Sequence, residues 1–358
     1  MNIIRILLFP ISCVYGIFMA IRNLLFEWKI LPSESFNIPV ISVGNLSYGG
    51  TGKTPHIEYL VRALQDKFKI ATLSRGYGRR SKGFVLADKN STYFDIGDES
   101  LQYKNKFEKI EVSVDAHRRK GIKILNNLFP KLGCILLDDA YQHRFVKPGL
   151  SILLTDFHKL YINDYPIPAG TLREFRSGSK RADIIIVTKT FSVFSPITKR
   201  RLTELIKPKK HQKLYFSYVK NGDLQPIPGI KHVIDRKRYN TILMFAGIAN
   251  SYPLQEHLKS MCSELIVMDF PDHHKYTVKD IEKIKKAYAD IFSKNKIIIT
   301  TEKDAMRIIK TDLFKQIIDL PVFYSPIEIK FHMGGDTEIN NQITDYVSKH
   351  PRNSRIHK

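Results

Sequence analysis

Ser42-Val43-Gly44-Asn45-Leu46-Ser47-Tyr48-Gly49-Gly50-Thr51-Gly52-Lys53-Thr54-Pro55 is the stretch that decides the fold. The apolar run Val40–Val43 before it predicts a strand, and His56–Lys67 after it predicts a helix. A glycine-rich loop between a strand and a helix brings backbone N–H groups to phosphate oxygens, and the helix N-terminus adds a positive dipole. Gly49, Gly50 and Gly52 keep Cβ atoms out of the way. Lys53 is of the right length to reach β- and γ-phosphates, and the Thr54 hydroxyl suits Mg²⁺. Pro55 is tolerated in the first helical turn, where its missing N–H has no intrahelical partner. The expected phosphate-binding residues are therefore Ser47, Tyr48, Gly49, Gly50, Thr51, Gly52, Lys53 and Thr54, with ATP as the nucleotide. Ser47 departs from the usual pattern, which has glycine five residues before Gly52.

Working outward, Cys134-Ile-Leu-Leu-Asp138-Asp139 is an apolar strand ending in carboxylates. A fold of this type holds its Mg²⁺-coordinating aspartate at such a strand end. Thr54, Asp138 and Asp139 are the metal candidates; in the alternative, Asp139 caps the next turn and Asp138 alone serves the metal. Further strand candidates are Ile70–Leu73, Ile110–Val114, Ile152–Leu154 and Ile184–Val187, and Ala116–Leu128 is a second helical stretch. Near-continuous apolar strands predict a parallel sheet covered on both faces. The fold class expected is α/β: a mostly parallel, P-loop NTPase-like sheet with helices on both faces.

Beyond residue 213 the pattern changes. Lys213–Lys220, Asn221-Gly222 and Leu224–Ile227 predict a hairpin with a type I′ turn. A second βα series follows, with strands Thr241–Ala246, Leu265–Met268 and Ile297–Thr300. Its helix Val278–Ser293 opens on a Thr277-x-x-Asp280 capping box. The expected organisation is an N-terminal membrane-associated helix over 1–30, a P-loop core over 31–213, a two-stranded linker over 214–239, a smaller α/β domain over 240–347 and a disordered basic tail over 348–358.

At the N-terminus, Ile6–Ile21 is an uncharged apolar run flanked by Arg5 and Arg22. It is short for a span and contains Pro10 and Gly16, which favours lying in the membrane interface; extension through Phe26 leaves a single span open. No small-x-small cleavage site follows, and an ATP site on the same chain belongs in the cytoplasm. The net charge of +22 calls for an acidic partner such as an anionic membrane or a phosphorylated substrate, or reflects a solvated basic surface. No nucleic-acid-reading motif accompanies the charge, so no nucleic-acid partner is expected. The three cysteines lie far apart and show neither disulfide-framework nor zinc spacing. Neither Thr188-Lys189-Thr190 nor Glu302-Lys303-Asp304 fits the guanine-reading pattern, which argues against a GTPase.

A family resemblance enters here. Gly44-Asn45 with Gly49–Pro55 resembles the signature of the tetraacyldisaccharide 4′-kinases, the lipid A kinases. Six further segments resemble that family in order. They are Ser74-Arg75-Gly76-Tyr77-Gly78; Gly97-Asp98-Glu99, with Ser100 replacing proline; Asp138-Asp139-Ala140-Tyr141-Gln142-His143-Arg144; Pro168-Ala169-Gly170-Thr171-Leu172-Arg173-Glu174, with Thr171 and Phe175 in place of prolines; Asp272-His273; and Thr301-Glu302-Lys303-Asp304. The resemblance runs from the N-terminal apolar segment to about Phe331. It implies Mg-ATP-dependent phosphorylation of the 4′-hydroxyl of a tetraacylated disaccharide 1-phosphate, giving lipid IVA in lipid A biosynthesis. It also implies work at the cytoplasmic face of the bacterial inner membrane. The alternative, on the loop alone, is a soluble kinase for a small sugar or other metabolite.

The resemblance also weights single residues. Asp98 is either the acceptor of the hydroxyl proton or a turn residue, and the resemblance favours the former. His273 is expected to orient or charge Asp98 across a cleft between domains, while His274 serves local structure. Lys53 completes the catalytic set. Arg75 and its neighbours Arg79 and Arg80 are candidates for the substrate's 1-phosphate. Arg173 is a candidate for a phosphate or headgroup, and Glu174 for metal or nucleotide, against a local salt bridge. Gln142 and His143 complete the substrate candidates. Asp115 reads as a helix cap, and Glu302 and Asp304 as residues facing nucleotide or linker, or as caps.

Overall fold

Val40–Asn45 is buried at every position, which suits a strand in the middle of a sheet. The computed structural model describes residues 3–234 and 236–354. The chain runs α1 (Ile3–Glu27), β1 (Val40–Asn45), α2 (Lys53–Leu64), β2 (Ile70–Ser74), β3 (Val85–Leu86), α3 (Tyr93–Ile96), α4 (Asp98–Lys106), β4 (Glu111–Val114), α5 (Arg118–Leu128), β5 (Cys134–Asp138), β6 (Leu150–Asp156), β7 (Ile184–Thr188), α6 (Pro196–Ile206) and β8 (Lys213–Asn221). It continues through β9 (Gln225–Pro226), β10 (Tyr239–Ala246), α7 (Tyr252–Lys259), β11 (Cys262–Asp269), α8 (Val278–Ala289), β12 (Lys296–Thr301), α9 (Glu302–Ile308), β13 (Val322–Ser325), β14 (Ile327–Phe331), α10 (Gly335–Ser348) and α11 (Pro351–Ser354).

Among the described residues the strands form two sheets. The larger has the order β14-β8-β7-β6-β1-β5-β2-β4-β3 and the smaller β11-β10-β12-β13-β9. The larger sheet is parallel from β8 to β4, with antiparallel edges at β14 and β3. β1 pairs with β5 on one side and β6 on the other, and Val43 is level with Asp138. The loop after β1 therefore opens beside the end of β5, at the carboxyl edge where parallel sheets bind ligands. The fold is the mostly parallel α/β architecture expected, with a second, smaller α/β sheet. The Thr277 and Asp280 side chains form the expected capping box of α8.

Three expectations need correction. Residues 213–227 do not make a hairpin. A type I′ turn requires positive φ at both central residues, whereas neither Asn221 nor Gly222 has it. Gly222 N donates instead to Pro326 O. β8 pairs antiparallel with β14, more than a hundred residues on in the chain, where the apolar residues Tyr215, Ile329 and Phe331 join one core. β9 goes to the smaller sheet, against β13. Second, residues 327–347, expected within the smaller domain, return to the larger sheet: Ile339, Ile343 and Val347 of α10 are fully buried, and the Tyr346 hydroxyl donates to Val40 O. Third, the tail is ordered through residue 354. Arg352 reaches Asn37 O, Asn126 and Pro130 O, and Asn353 donates to Gly133 O. Residues 355–358 lie outside the described residues.

Helix α1 continues through Pro10 and Gly16. One face docks on the core: Ala169 N donates to Ser12 Oγ, Tyr15 Oη to Arg173 O, and Asn23 Nδ2 to Glu174 Oε2. A Cβ at Gly16 would overlap the Phe175 ring, so glycine permits this close approach. The opposite face leaves Leu7, Ile11, Val14, Ile17, Phe18 and Ile21 exposed.

Candidate active site

The glycine loop lies at the carboxyl edge of β1. Gly49 and Gly52 have φ of 111° and 86°, a region costly for other residues. A Cβ built at Gly49 or Gly50 meets no protein atom within 4 Å. A side chain at either position would thus fill the cradle itself rather than clash with its walls. Asn45 Nδ2 donates to Thr51 Oγ1 at 2.8 Å, and Thr188 Oγ1 donates to Thr51 O, so the loop's base is held by two strand ends, those of β1 and β7. Ser47, at the departure from the usual pattern, bridges to Leu172, and Tyr48 N donates to Thr171 O. The loop is also braced from below. His56 contacts Gly52 O at 2.7 Å and Ser217 Oγ at 3.0 Å, and burial pushes its imidazole down to about 4.

Beside the loop, carboxylates converge. Asp138 is buried at the end of β5. Tyr103 donates to its Oδ2 at 2.9 Å, while its Oδ1 has no hydrogen-bond partner. Burial, followed by the charges of Glu99 and Asp139, pushes the Asp138 carboxyl up to about 7. Thr54 Oγ1 lies 3.3 Å from Glu99 Oε1. A buried carboxylate with one unpartnered oxygen, raised by neighbouring negative charge, is what a divalent cation would relieve. Among the described residues, no three His, Cys, Asp or Glu side chains form a metal cage by themselves. Mg²⁺ differs from zinc in this respect, being held by one or two carboxylates with phosphates and water. The donor set of Thr54 and Asp138 fits such an ion. Asp139 has φ 45° and pairs with Arg173, Nη1 to Oδ1 at 3.0 Å, with Lys53 Nζ at 3.7 Å. Lys53, Asp139 and Arg173 thus form one charge chain.

Asp98 and His273 do meet across the gap between the two sheets. His273 Nδ1 stands 3.6 Å from Asp98 Oδ2, too long for a hydrogen bond. Asp98 starts α4, and its Oδ1 accepts from Glu99 N at 2.9 Å. Burial alone would raise its carboxyl, but the charges of Lys303 and Arg307 and the Arg307 hydrogen bonds hold it well below the usual carboxylate range. His273 takes its place through a left-handed backbone, φ 57°, with its N–H on Gly247 O and Tyr77 against its ring. His274 pairs with the capping Asp280 at 3.0 Å, the structural role expected.

The other candidates divide. Arg75 and His143 lie in one basic region with Arg22, His117 and Arg118, and there burial and those charges push His143 down to about 4. Gln142 is a brace: it donates to Asn45 O and accepts from Arg173. Glu174 is buried and paired with Arg181 and Asn23, the local salt bridge of the alternative reading. Arg79 donates to Gly83 O and Val114 O, and Arg80 stacks over Phe94 of α3 at 4.1 Å; both are engaged within the protein. Asp115 accepts from His117 N in the turn before α5. Asp304 is fully buried and accepts from Gly247 N and Arg307, and Glu302 pairs with Lys106.

Four functional candidates escaped the sequence reading. Glu99 bridges Thr54 and Lys303. Arg118 is buried with an unpartnered Nε, and burial pushes it down to about 10. Arg307 holds Asp98, and His56 braces the loop. Arg307 carried a signal: a cation among Ala305, Met306, Ile308 and Ile309 is a charge in an apolar run, and buried charges are paired. Arg118 lay in a run with Arg119 and Lys120 and was indistinguishable there from a solvated face.

A parallel sheet whose central strand feeds a glycine loop and a helix N-terminus, next to a strand ending in a buried aspartate, defines a P-loop phosphotransferase. The chain belongs to the tetraacyldisaccharide-1-P 4′-kinase family, whose model matches residues 4–348. The tetraacyldisaccharide 4′-kinase of Bacteroides thetaiotaomicron is 43% identical over 97% of this chain and 94% of its own. That of Flavobacterium psychrophilum is 43% identical over 99% of this chain and 100% of its own. The "apo" form of LpxK from Aquifex aeolicus, crystallised in complex with ATP, superposes with a TM-score of 0.72 at 25% identity, covering 96% of this chain and 100% of that one.

Proposed function

We propose that this chain transfers the γ-phosphoryl group of ATP to the 4′-hydroxyl of tetraacyldisaccharide 1-phosphate, giving lipid IVA, and that the residues around the glycine loop divide the work as follows. The observation that carries the reading is the placement of Lys53 and Thr54 on a cradle of glycines next to buried Asp138, in a chain matched to the kinase family along its length. Phosphoryl transfer passes through a loose transition state, so positioning and charge stabilisation dominate. Lys53 supplies positive charge to the transferred group, and Arg173 and Asp139 hold it in register. Thr54 and Asp138 would hold Mg²⁺, which when bound neutralises charge between the β- and γ-phosphates. Tyr103 fixes Asp138 so that Oδ1 is the oxygen presented. Asp98 directs the acceptor hydroxyl and accepts its proton, with His273 beside it.

Arg75, Arg118 and His143 favour a substrate phosphate, since a buried guanidinium with an unpartnered N–H is satisfied by an anion. The exposed apolar face of α1 favours the membrane interface at the cytoplasmic face of the inner membrane. Its docked face is anchored along its length, which supports lying in the interface over crossing it. The surplus of positive charge adds attraction to anionic lipid. The test of the activity is phosphate transfer by purified protein from Mg-ATP to tetraacyldisaccharide 1-phosphate in micelles, against a deacylated disaccharide. Transfer to the deacylated sugar alone would replace this reading with that of a soluble sugar kinase.

A further inference from the structure

Arg307 uses all of its donors at the junction of the two sheets. Nε and Nη2 donate to Asp98 Oδ2 at 3.1 and 2.8 Å. Nη1 donates to Gly247 O and to Asp304 Oδ1, both at 2.8 Å. Nη2 also lies 3.3 Å from His273 Nδ1. A guanidinium has donors and no acceptor, so this contact requires the Nδ1 lone pair and puts the imidazole proton on Nε2. The side chain is 5% exposed, and a buried cation so fully paired is directional. Arg307 and Lys303, which binds Glu99 Oε1 at 2.8 Å, both come from α9 beside the smaller sheet, whereas Asp98 and Glu99 begin α4 beside the larger one.

We infer that Arg307 is a positioning residue for the transfer: it fixes the direction and charge of Asp98 and the tautomer of His273, and does so only when α9 is docked on α4. The inference rests on the proposed role of Asp98. The function of an imidazolium beside Asp98, charging and aiming the carboxylate, then falls to the guanidinium, and His273 keeps its Nε2 face for the reaction. The charged and titratable groups around Asp98 are Arg307 and Lys303 from α9, His273 from the β11–α8 loop and Tyr93 from α3. Arg307 is the one with two bonds to the carboxylate.

The test is steady-state transfer by the full chain in micelles with Mg-ATP and tetraacyldisaccharide 1-phosphate, for Arg307→Met, Arg307→Lys, Asp98→Asn and Asp98→Asn/Arg307→Met. Arg307→Met is expected to lower kcat about 10²-fold with KM for ATP within about threefold, and Arg307→Lys, which keeps the charge without the fork, to lose about tenfold. In Arg307→Met the acid limb of the kcat–pH profile is expected to move upward, because Asp98 has lost its closest counter-charge, and in Arg307→Lys to move the same way by less, because the charge stays while the two bonds to Oδ2 are lost. The double variant is expected to be no slower than Asp98→Asn alone. Wild-type kcat in both Arg307 variants, or losses that multiply with Asp98→Asn and leave the acid limb in place, would overturn the inference. Should Arg307→Met melt at the assay temperature, Arg307→Lys carries the profile, with its smaller shift, and the cycle, with Asp98→Asn/Arg307→Lys as the double variant. An Asp98→Asn variant at the wild-type rate would defeat the reading of Asp98 itself, a different result from slow Asp98→Asn with multiplicative Arg307 losses.

Discussion

Lys53 Nζ rests 3.7 Å from Asp139 Oδ2, and Arg173 binds the other oxygen of the same carboxylate at 3.0 Å. The loop lysine is thus paired with a strand-end aspartate from the neighbouring strand. Its side chain is 12% exposed.

Lys53→Ala is expected to lower kcat by about 10³-fold or more, since charge developing on the transferred group loses its direct counter-charge. Folding is expected to survive, as the lysine lies at the end of the glycine loop and outside the apolar core clusters. A circular-dichroism melt with transfer kinetics checks both halves, and near-wild-type turnover in a folded variant would remove Lys53 from the mechanism.

Asp138→Asn has two measurable consequences. The first is a weaker dependence on magnesium concentration, read from initial rates. The second concerns stability. Burial, then Glu99 and Asp139, push the Asp138 carboxyl up to about 7, above the unfolded value of about 4. The folded state therefore binds the extra proton, and this group's stabilisation is full below about pH 4 and lost as pH rises through about 7. Without metal, Asp138→Asn is expected to raise the melting temperature more at about pH 8 than at about pH 5, an effect on the order of a few kcal/mol at most. Equal shifts at both pH values would show that Asp138 is not the strained carboxylate.

Asp98→Ala and His273→Ala are each expected to lower kcat by roughly 10²–10⁴-fold with little change in ATP affinity, the range for losing an acid–base group. Their double variant is expected to be scarcely slower than the slower single one. Multiplicative losses would mean that the two act independently, despite lying 3.6 Å apart.

Arg118→Gln and Arg75→Gln are expected to raise KM for the disaccharide 1-phosphate about tenfold or more while leaving KM for ATP nearly unchanged, as loss of a charge-assisted phosphate contact predicts. Equal rises in both constants would assign these arginines to the nucleotide or to the fold.

Val14→Glu/Phe18→Glu tests the exposed face of α1. Both side chains are over 60% exposed, so the fold is expected to be unaffected. Keeping two such side chains out of lipid forfeits roughly 3 kcal/mol or more, so the variant is expected to leave sedimented vesicles for the supernatant. Full retention on vesicles in high salt would place the anchor elsewhere.

The sequence alone determined the sheet, the loop and the strand-end aspartates, because each is a local pattern. A buried parallel strand must be apolar throughout, a phosphate cradle must lack Cβ atoms, and the metal aspartate must follow its strand directly. Asp98 and His273 were legible through motif resemblance. What only the tertiary structure decided were pairings between distant segments. Asn221-Gly222 carried a hairpin signal, yet β8 found its partner in β14, where the burial of Tyr215, Ile329 and Phe331 outweighs a turn preference. Glu174 read as a site residue or a local salt bridge and became the anchor of α1, because Asn23 comes to it from a helix 151 residues away in the chain. Arg307 read as one cation in a short helix and became the clamp on Asp98. A charge states that it needs a partner when buried, but which partner it gets is fixed only by packing that brings two remote helices face to face.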